Sequence, residues 1–225
     1  YLSNARLGKG LMLGGLTGIA PTEVVVIGAG TVGEYACRTA IGLGSNVSVF
    51  DTSLSRLRRL QQLTDRRVST YIIDSTNLRN ALKRADVVIG ALRSGDGRTP
   101  CVVDTDMVKE MQEGSVIIDV SIDHGGCFET SRVTTHEDPV FTEHGVIHYC
   151  VPNIPSRVAS TSSSAICNVI TPILLSIGNE GGIKNLIKKD IGIRKGVYTF
   201  DGMMTNKTLS GMFSLQYKDL DLIIP

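Results

Sequence analysis

The sequence predicts an α/β fold, a doubly wound parallel sheet with helices on both faces. Three observations predict it. Short β-branched runs recur with helical segments between them, the first run passes directly into a glycine-rich turn, and an acidic residue closes the second run. Short apolar runs of this kind suit strands buried on both faces, and their alternation with helices suits a parallel sheet with right-handed crossovers.

Taken in order, residues 1–22 contain the run GKGLMLGGLTGIAP and read as a helix end and loop, with Pro21 marking the entry to a strand. Glu23–Ile27 is the first strand. Thr31–Leu43 reads as a helix, with Val32, Tyr35, Ala36, Thr39 and Ala40 at helical spacing. Asn46–Phe50 is the second strand, and Leu54–Leu63 is a helix expected to turn Leu54, Leu57, Leu60 and Leu63 inward. Val68–Ile73 is the third strand, Leu78–Arg84 a helix and Val87–Ala91 the fourth strand. Met107–Met111 reads as helical and Gly114 as its C′ stop. Ser115–Val120 and Val146–Cys150 read as the fifth and sixth strands. After Pro155 the composition shifts. The Ser160–Ser164 cluster suits a capped helix start, with a flexible linker as the alternative, and the helix runs to about Ile177. The tail from Gly181 lacks strand–helix rhythm. We expect residues 1–178 to form one domain with its flanking linker helices and residues 179–225 to belong to a second.

Composition narrows the function classes. With 23 basic and 22 acidic residues and a net charge of +1, no bulk charge points to nucleic acid or to an anionic membrane. Aromatics are 5 % of the chain, too few for a base-stacking platform. The most apolar stretch, Ile166–Ile177, is interrupted by Asn168, Thr171, Pro172 and Ser176 and reads as too short and polar to span a bilayer. Five cysteines without a CxxC pair suit a reducing compartment, hence the cytoplasm. The first methionine is Met12, so we expect further sequence upstream of Tyr1.

The chemistry concentrates at strand ends. Gly28-Ala29-Gly30-Thr31-Val32-Gly33 follows a strand and opens a helix, the context that gives the GxGxxG pattern its meaning as the phosphate-binding turn of a Rossmann dinucleotide fold. Free N–H groups and the positive end of the helix dipole there favour a pyrophosphate. Asp51 closes the second strand 18 residues after Gly33, where a carboxylate can bond both hydroxyls of an adenosine ribose and repel a 2′-phosphate, favouring NAD over NADP. A helix-capping or turn aspartate is the alternative. Arg56, Arg58 and Arg59 follow, either as a solvated helix face or with one of them near the adenine. A methyltransferase using S-adenosylmethionine also places an acid here, but with a less regular glycine loop.

Ligands bind outside the carboxyl ends of parallel strands. Asp123 follows the fifth strand beside Gly125 and Gly126, positioned to bond a ribose hydroxyl or assist proton transfer, or else simply to form a turn. Asn153, between Pro152 and Pro155, can present its amide or backbone to a cofactor, with a structural turn as the alternative. His144 and His148 lie on a strand-like segment and are not read as metal ligands, and no metal is expected. His124 lies in the cleft loop and reads as an ordinary loop histidine. Cys127 and Cys150 lack a neighbouring cation and read as packing residues.

Three segments, GKGLMLGGLTGIAPTEVVVIGAGTVG (8–33), SIDHGGCFETSRVTTHEDPVF (121–141) and HYCVPNIPSRVASTSS (148–163), resemble the alanine dehydrogenase family. That family shares its fold with the NAD-binding subunit of proton-translocating transhydrogenase. The resemblance spans about residues 5–175 and implies reversible NAD-dependent oxidative deamination of L-alanine to pyruvate and ammonia, by a homo-oligomer. It carries the phosphate loop to Gly28, Ala29, Gly30, Thr31, Val32 and Gly33, and the ribose acid to Asp51. It carries a basic cofactor-side residue to Arg56 and further cofactor contacts to Leu92, Val120, Val151 and Asn153. Asp123 matches the active-site aspartate beside the nicotinamide. The family usually has Gln at His124, Ala at Pro152 and Met at Ile154. Its substrate-binding Arg, Lys and His come from an N-terminal segment with no counterpart in these residues. The other readings are a transhydrogenase-like component, a nucleotide-binding module without amino-acid oxidation, and an opine- or saccharopine-type dehydrogenase. The IDHGGCFE stretch favours alanine dehydrogenase over the first two.

Overall fold

A computed structural model describes residues 1–65, 67–93 and 97–224. The chain forms two compact units, Tyr1–Ile154 and Pro155–Pro225. In the first, the elements run β1 (Glu23–Ile27), α1 (Thr31–Gly42), β2 (Asn46–Asp51), α2 (Leu54–Leu63), β3 (Val68–Ile72), α3 (Ser75–Leu82), β4 (Val87–Gly90), α4 (Thr105–Lys109), β5 (Val116–Asp119), β6 (Val140–Glu143) and β7 (Val146–Tyr149). The seven strands are ordered β3-β2-β1-β4-β5-β7-β6. All neighbouring pairs are parallel except β6 with β7. The order turns back on itself between β1 and β4, and a crevice at such a reversal is where α/β sheets take their ligands.

The double winding follows from the two-residue period of a strand. Val25 and Ile27 face one core with Leu78 and Leu82 of α3 and Met107 and Val108 of α4. Val24 and Val26 face the other with Cys37 and Ala40 of α1 and Leu57 and Leu60 of α2. A strand covered on both sides has no polar face, which is why these runs are apolar throughout.

Several expectations need correction. Among residues 1–22 there is no helix. The segment is a series of turns, anchored by buried Leu2, by Lys9 paired with Asp86 at 2.7 Å, and by the Thr22 N–H donating to the Leu13 carbonyl. Val32 and Tyr35 are exposed, and α1 instead buries its small residues Gly33, Cys37 and Ala40. In α2 only Leu57 and Leu60 are buried, while Leu54 and Leu63 face solvent. A helix turns once in 3.6 residues, so a spacing of three lags by about 60° per step and four such leucines fan across half the circumference. Gly114 lies beyond the end of α4, in a turn where its N–H meets the Gly145 carbonyl. Strand β6 was not expected. It pairs with β7 through His144 and Gly145, both at positive φ (51° and 78°), the requirement of a tight two-residue hairpin turn.

The second unit contains α5 (Ala159–Asn179), α6 (Ile183–Lys189), α7 (Ile191–Lys195), β8 (Thr199–Phe200), β9 (Met203–Met204), α8 (Lys207–Phe213) and α9 (Leu220–Ile223). Its core gathers Ile187, Leu220 and Ile224. The Ser160–Ser164 cluster forms the first turns of α5 rather than its cap: Val158 occupies the cap position without a side-chain bond, and the Ser162 hydroxyl donates to the Pro155 carbonyl. The cluster therefore lengthens the helix. Ile154–Asn179 is long and apolar enough to cross a membrane by length and composition, contrary to the reading of Ile166–Ile177 as too short, and none of α5 is buried.

Candidate functional site

The glycine-rich turn lies where β1 meets α1. Gly28 has φ of 110° and donates its N–H to the Phe50 carbonyl at 2.7 Å, binding the turn to β2. A Cβ on Gly28 would lie 2.5 Å from the Ala91 carbonyl oxygen just past β4. A Cβ on Gly33 would lie 1.8 Å from the Gly28 carbonyl oxygen, so α1 starts in backbone contact with the turn. Gly30 differs: it is the N-cap of α1, carries no capping side chain, and a Cβ there would meet nothing within 4 Å. Thr31 and Val32 beside it are exposed. The first N–H groups of α1 thus border open space, the arrangement that receives a phosphate.

Asp51 is 2 % exposed. One carboxylate oxygen accepts the Ala29 N–H at 2.7 Å, and the other accepts the Ser53 N–H at 2.8 Å. A carboxylate has about four lone-pair positions, so two backbone bonds leave capacity for ribose hydroxyls. The bond from Ser53 is the turn contact that the alternative reading expected, and the bond from Ala29 also fastens the glycine turn. The exposed Arg56 guanidinium stands 3.8 Å from the same carboxylate, while Arg59 pairs with Glu34 of α1 at 2.9 Å and Arg58 is exposed.

The other end of the site is built from the ends of β4, β5 and β7. A 3-10 turn, Val120–His124, follows β5 and ends at Gly125, where φ is 100°. Asp123 is exposed on this turn and accepts the Asn153 N–H at 2.9 Å, so two residues read separately from the sequence are brought together. Asn153 adopts φ of 52° to present that N–H. Leu92 accepts the Ser121 hydroxyl on its carbonyl at 3.0 Å. Val120 is half-buried, and Val151 is buried at 1 % exposure, which leaves its backbone rather than its side chain available to a ligand.

Sequence reasoning missed Asp119. It ends β5 with no exposed surface and accepts the Ser121 N–H at 3.0 Å, the Cys127 N–H at 3.0 Å and the Ser131 hydroxyl at 2.7 Å. Burial pushes its carboxyl above the usual aspartate value, against the opposing pull of the Ser131 hydroxyl and the loop N–H groups. The available signal was an acid closing the apolar run Val116–Asp119, overlooked beside the more conspicuous Asp123. Burial likewise raises the thiols of Cys127 and Cys150 above their usual value, and that of Cys37 to about 12, which fits packing rather than nucleophilic roles.

His148 is fully buried, stacked on Phe141 and bonded at both ring nitrogens, to the Val146 carbonyl at 3.0 Å and the Thr130 hydroxyl at 2.9 Å. Burial holds its pKa below the ordinary 6.5. A depressed histidine contributes stability above its unfolded pKa and loses it as pH falls through the folded one. Thermal melts between about pH 7 and pH 5 should therefore show an acid-side loss of Tm that a His148→Gln variant lacks; parallel profiles would contradict this.

The family model for the alanine dehydrogenase/PNT C-terminal domain matches residues 1–207. An alanine dehydrogenase of Halomonas elongata is 39 % identical over 99 % of this chain and 60 % of its own length. One from Methanococcus maripaludis is 40 % identical over 96 % of this chain and 58 % of its own length. A solved L-alanine dehydrogenase superposes with a TM-score of 0.88 at 35 % identity, covering 95 % of this chain and 58 % of its own. A transhydrogenase from Sinorhizobium meliloti shares the fold, with a TM-score of 0.61 at 24 % identity over 68 % of this chain and 44 % of its own. The chain thus spans about 60 % of the length of the alanine dehydrogenases it matches.

Proposed function

The chain belongs to the alanine dehydrogenase/PNT C-terminal domain family, and on that premise we propose that it is the NAD-binding part of an enzyme that reversibly deaminates L-alanine to pyruvate and ammonia. NAD is the cofactor of this family. The observation that carries the reading is a pair of strand-end arrangements on either side of the reversal in strand order: the open N-terminus of α1 at Gly30 beside Asp51, and Asp123 bonded to Asn153 beyond β5.

In this reading Gly28–Gly33 and the first turn of α1 bind the pyrophosphate, with Gly28 and Gly33 shaping the turn and Gly30 leaving room for close approach. Asp51 accepts the adenosine ribose hydroxyls, and Arg56 borders that end. Leu92, Val120, Val151 and Asn153 line the path towards the nicotinamide. Asp123, held by the Asn153 N–H, stands at that end to move a proton during exchange between amine and carbonyl. Bound NAD supplies the redox chemistry, accepting hydride from the substrate α-carbon. We assign residues 1–178 to cofactor binding, with α5 as the linker, and residues 179–225 to a segment returning to the catalytic domain. The groups that hold the substrate carboxylate are assigned to none of this chain's Arg, Lys or His residues. A cytoplasmic homo-oligomer without nucleic-acid or membrane partners completes the reading.

Gly30→Ala tests the cofactor site selectively. The new methyl meets no protein atom within 4 Å, so Tm should not move. It would stand where the pyrophosphate approaches, so the affinity for NAD measured by calorimetry should fall on the order of tenfold, about 1.4 kcal/mol. Undiminished NAD affinity in this variant would remove the phosphate assignment.

A further inference from the structure

We propose that Asp119 is a positioning residue for the nicotinamide end of the site: by gathering both ends of the loop that follows β5, it sets where Asp123 stands. This rests on the NAD reading above.

A carboxylate without exposed surface is costly unless its oxygens are satisfied. Among the described residues no lysine or arginine forms an ion pair with Asp119. Its hydrogen-bond donors come instead from the loop itself, with the Ser121 N–H on one oxygen and the Cys127 N–H and Ser131 hydroxyl on the other. Ser121 lies just after β5, and Cys127 and Ser131 lie on the returning side, so one side chain joins the two limbs. Asp123 lies between them. The Ser121 hydroxyl in turn reaches the Leu92 carbonyl beyond β4, which extends the same network across the neighbouring strand end.

The surrounding backbone is shaped for that carboxylate. A Cβ on Gly126 would lie 2.6 Å from one Asp119 oxygen, its nearest contact, whereas a Cβ on Gly90 would first meet Cys127 Sγ at 2.5 Å and the Phe128 ring at 2.6 Å. Packing alone would be served as well or better by an apolar side chain, because replacing a buried charge with a hydrophobe of similar volume is often neutral or stabilising. What an apolar residue cannot do is hold the donors of residues 121, 127 and 131 in one arrangement.

The experiment uses this chain with two ligands. ADP-ribose lacks the nicotinamide and reports the adenine end, while NADH fluorescence reports the surroundings of the nicotinamide ring. Asp119→Asn keeps the volume but replaces an accepting oxygen with a donating NH2 that faces loop donors. Asp119 shares no hydrogen-bond partner with Gly28–Gly33 or Asp51, so affinity for ADP-ribose should stay within about twofold of the unmodified chain. The change in nicotinamide emission on NADH binding should be lost or strongly reduced. A general loss of stability would not separate the two readouts in this way. A folded Asp119→Asn chain that gives the full emission change overturns the proposal. Should that variant not fold, Ser131→Ala removes one donor and leaves Cys127 on the same oxygen. It should give a reduced emission change at unchanged ADP-ribose affinity, and an undiminished change overturns the proposal equally. Failure of the unmodified chain to bind either ligand would instead overturn the NAD reading itself.

Discussion

Gly33→Ala is expected to destabilise the first unit by about 3 kcal/mol, the upper end of the usual range for overpacking, and to abolish measurable NAD binding. The added methyl would lie 1.8 Å from the Gly28 carbonyl oxygen. A Cβ is fixed in place by its own backbone and the carbonyl oxygen is backbone, so no rotamer change relieves the clash. The remaining routes are to deform the glycine turn or to lift α1 from the sheet. The first breaks the Gly28 bond to the Phe50 carbonyl. The second opens the packing of Cys37 and Ala40 against Val24 and Val26. At about 2–4 °C per kcal/mol for a chain of this size, the loss is easily resolved by thermal unfolding. Gly30→Ala is the internal control, since the two substitutions add the same methyl three residues apart. If both lower Tm equally, the close approach of α1 to the turn is not what fixes this region.

Asp51→Ala is expected to lower both stability and NAD affinity. Removing the carboxylate leaves the N–H of Ala29, itself without exposed surface, lacking its acceptor, at a cost of about 1–3 kcal/mol. On the proposed reading, losing the charged acceptor for the ribose hydroxyls costs a further 1.5–3 kcal/mol, roughly, in binding. Asp51→Asn separates the two roles. Its remaining oxygen can still accept from Ala29, so Tm should largely recover while NAD affinity stays low. Paired melts and calorimetric titrations check this, and a variant that recovers both properties would show that ribose recognition does not need the charge.

The strands of the central sheet could be read from the sequence because a strand covered on both faces announces itself as a continuous apolar run, as in β1, β4 and β5. Helix faces were less legible. The contact between Gly33 and Gly28 brings α1 so close to the sheet that only small residues fit beneath it, and Val32 and Tyr35, the larger apolar choices, are left outside. Hydrophobicity ranks residues by size as well as by chemistry, so it points away from a tightly packed helix face. Strand β6, only four residues long at a half-covered sheet edge, ends in Thr142 and Glu143 and so shows no continuous apolar run; its evidence was the His144–Gly145 turn.

At the site, the glycine turn, Asp51 and Asp123 were legible as residue types in a strand-end context. Asp119 was not. Its role depends on hydrogen bonds to residues 121, 127 and 131, and loop bonds of this kind leave no periodic trace. The joining of Asp123 to Asn153, thirty positions on, likewise exists only once β5 and β7 lie side by side.

The reversal of strand order between β1 and β4 also bears on how the molecule assembles. Val24 pairs with Val87, whereas Val24 pairs with Val47 on its other side and Val87 with Val116. The β1–β4 pairing closes the longest stretch of chain of any strand pair in the sheet, and closing a loop two to three times longer costs about 0.6–1 kcal/mol more in chain entropy. The glycine turn and the end of β4 meet only across this pairing. A newly made chain therefore meets its greatest loop-closure cost in the pairing that brings the glycine turn to the end of β4, and, on the proposed reading, NAD present during refolding would favour the step that chain entropy opposes most.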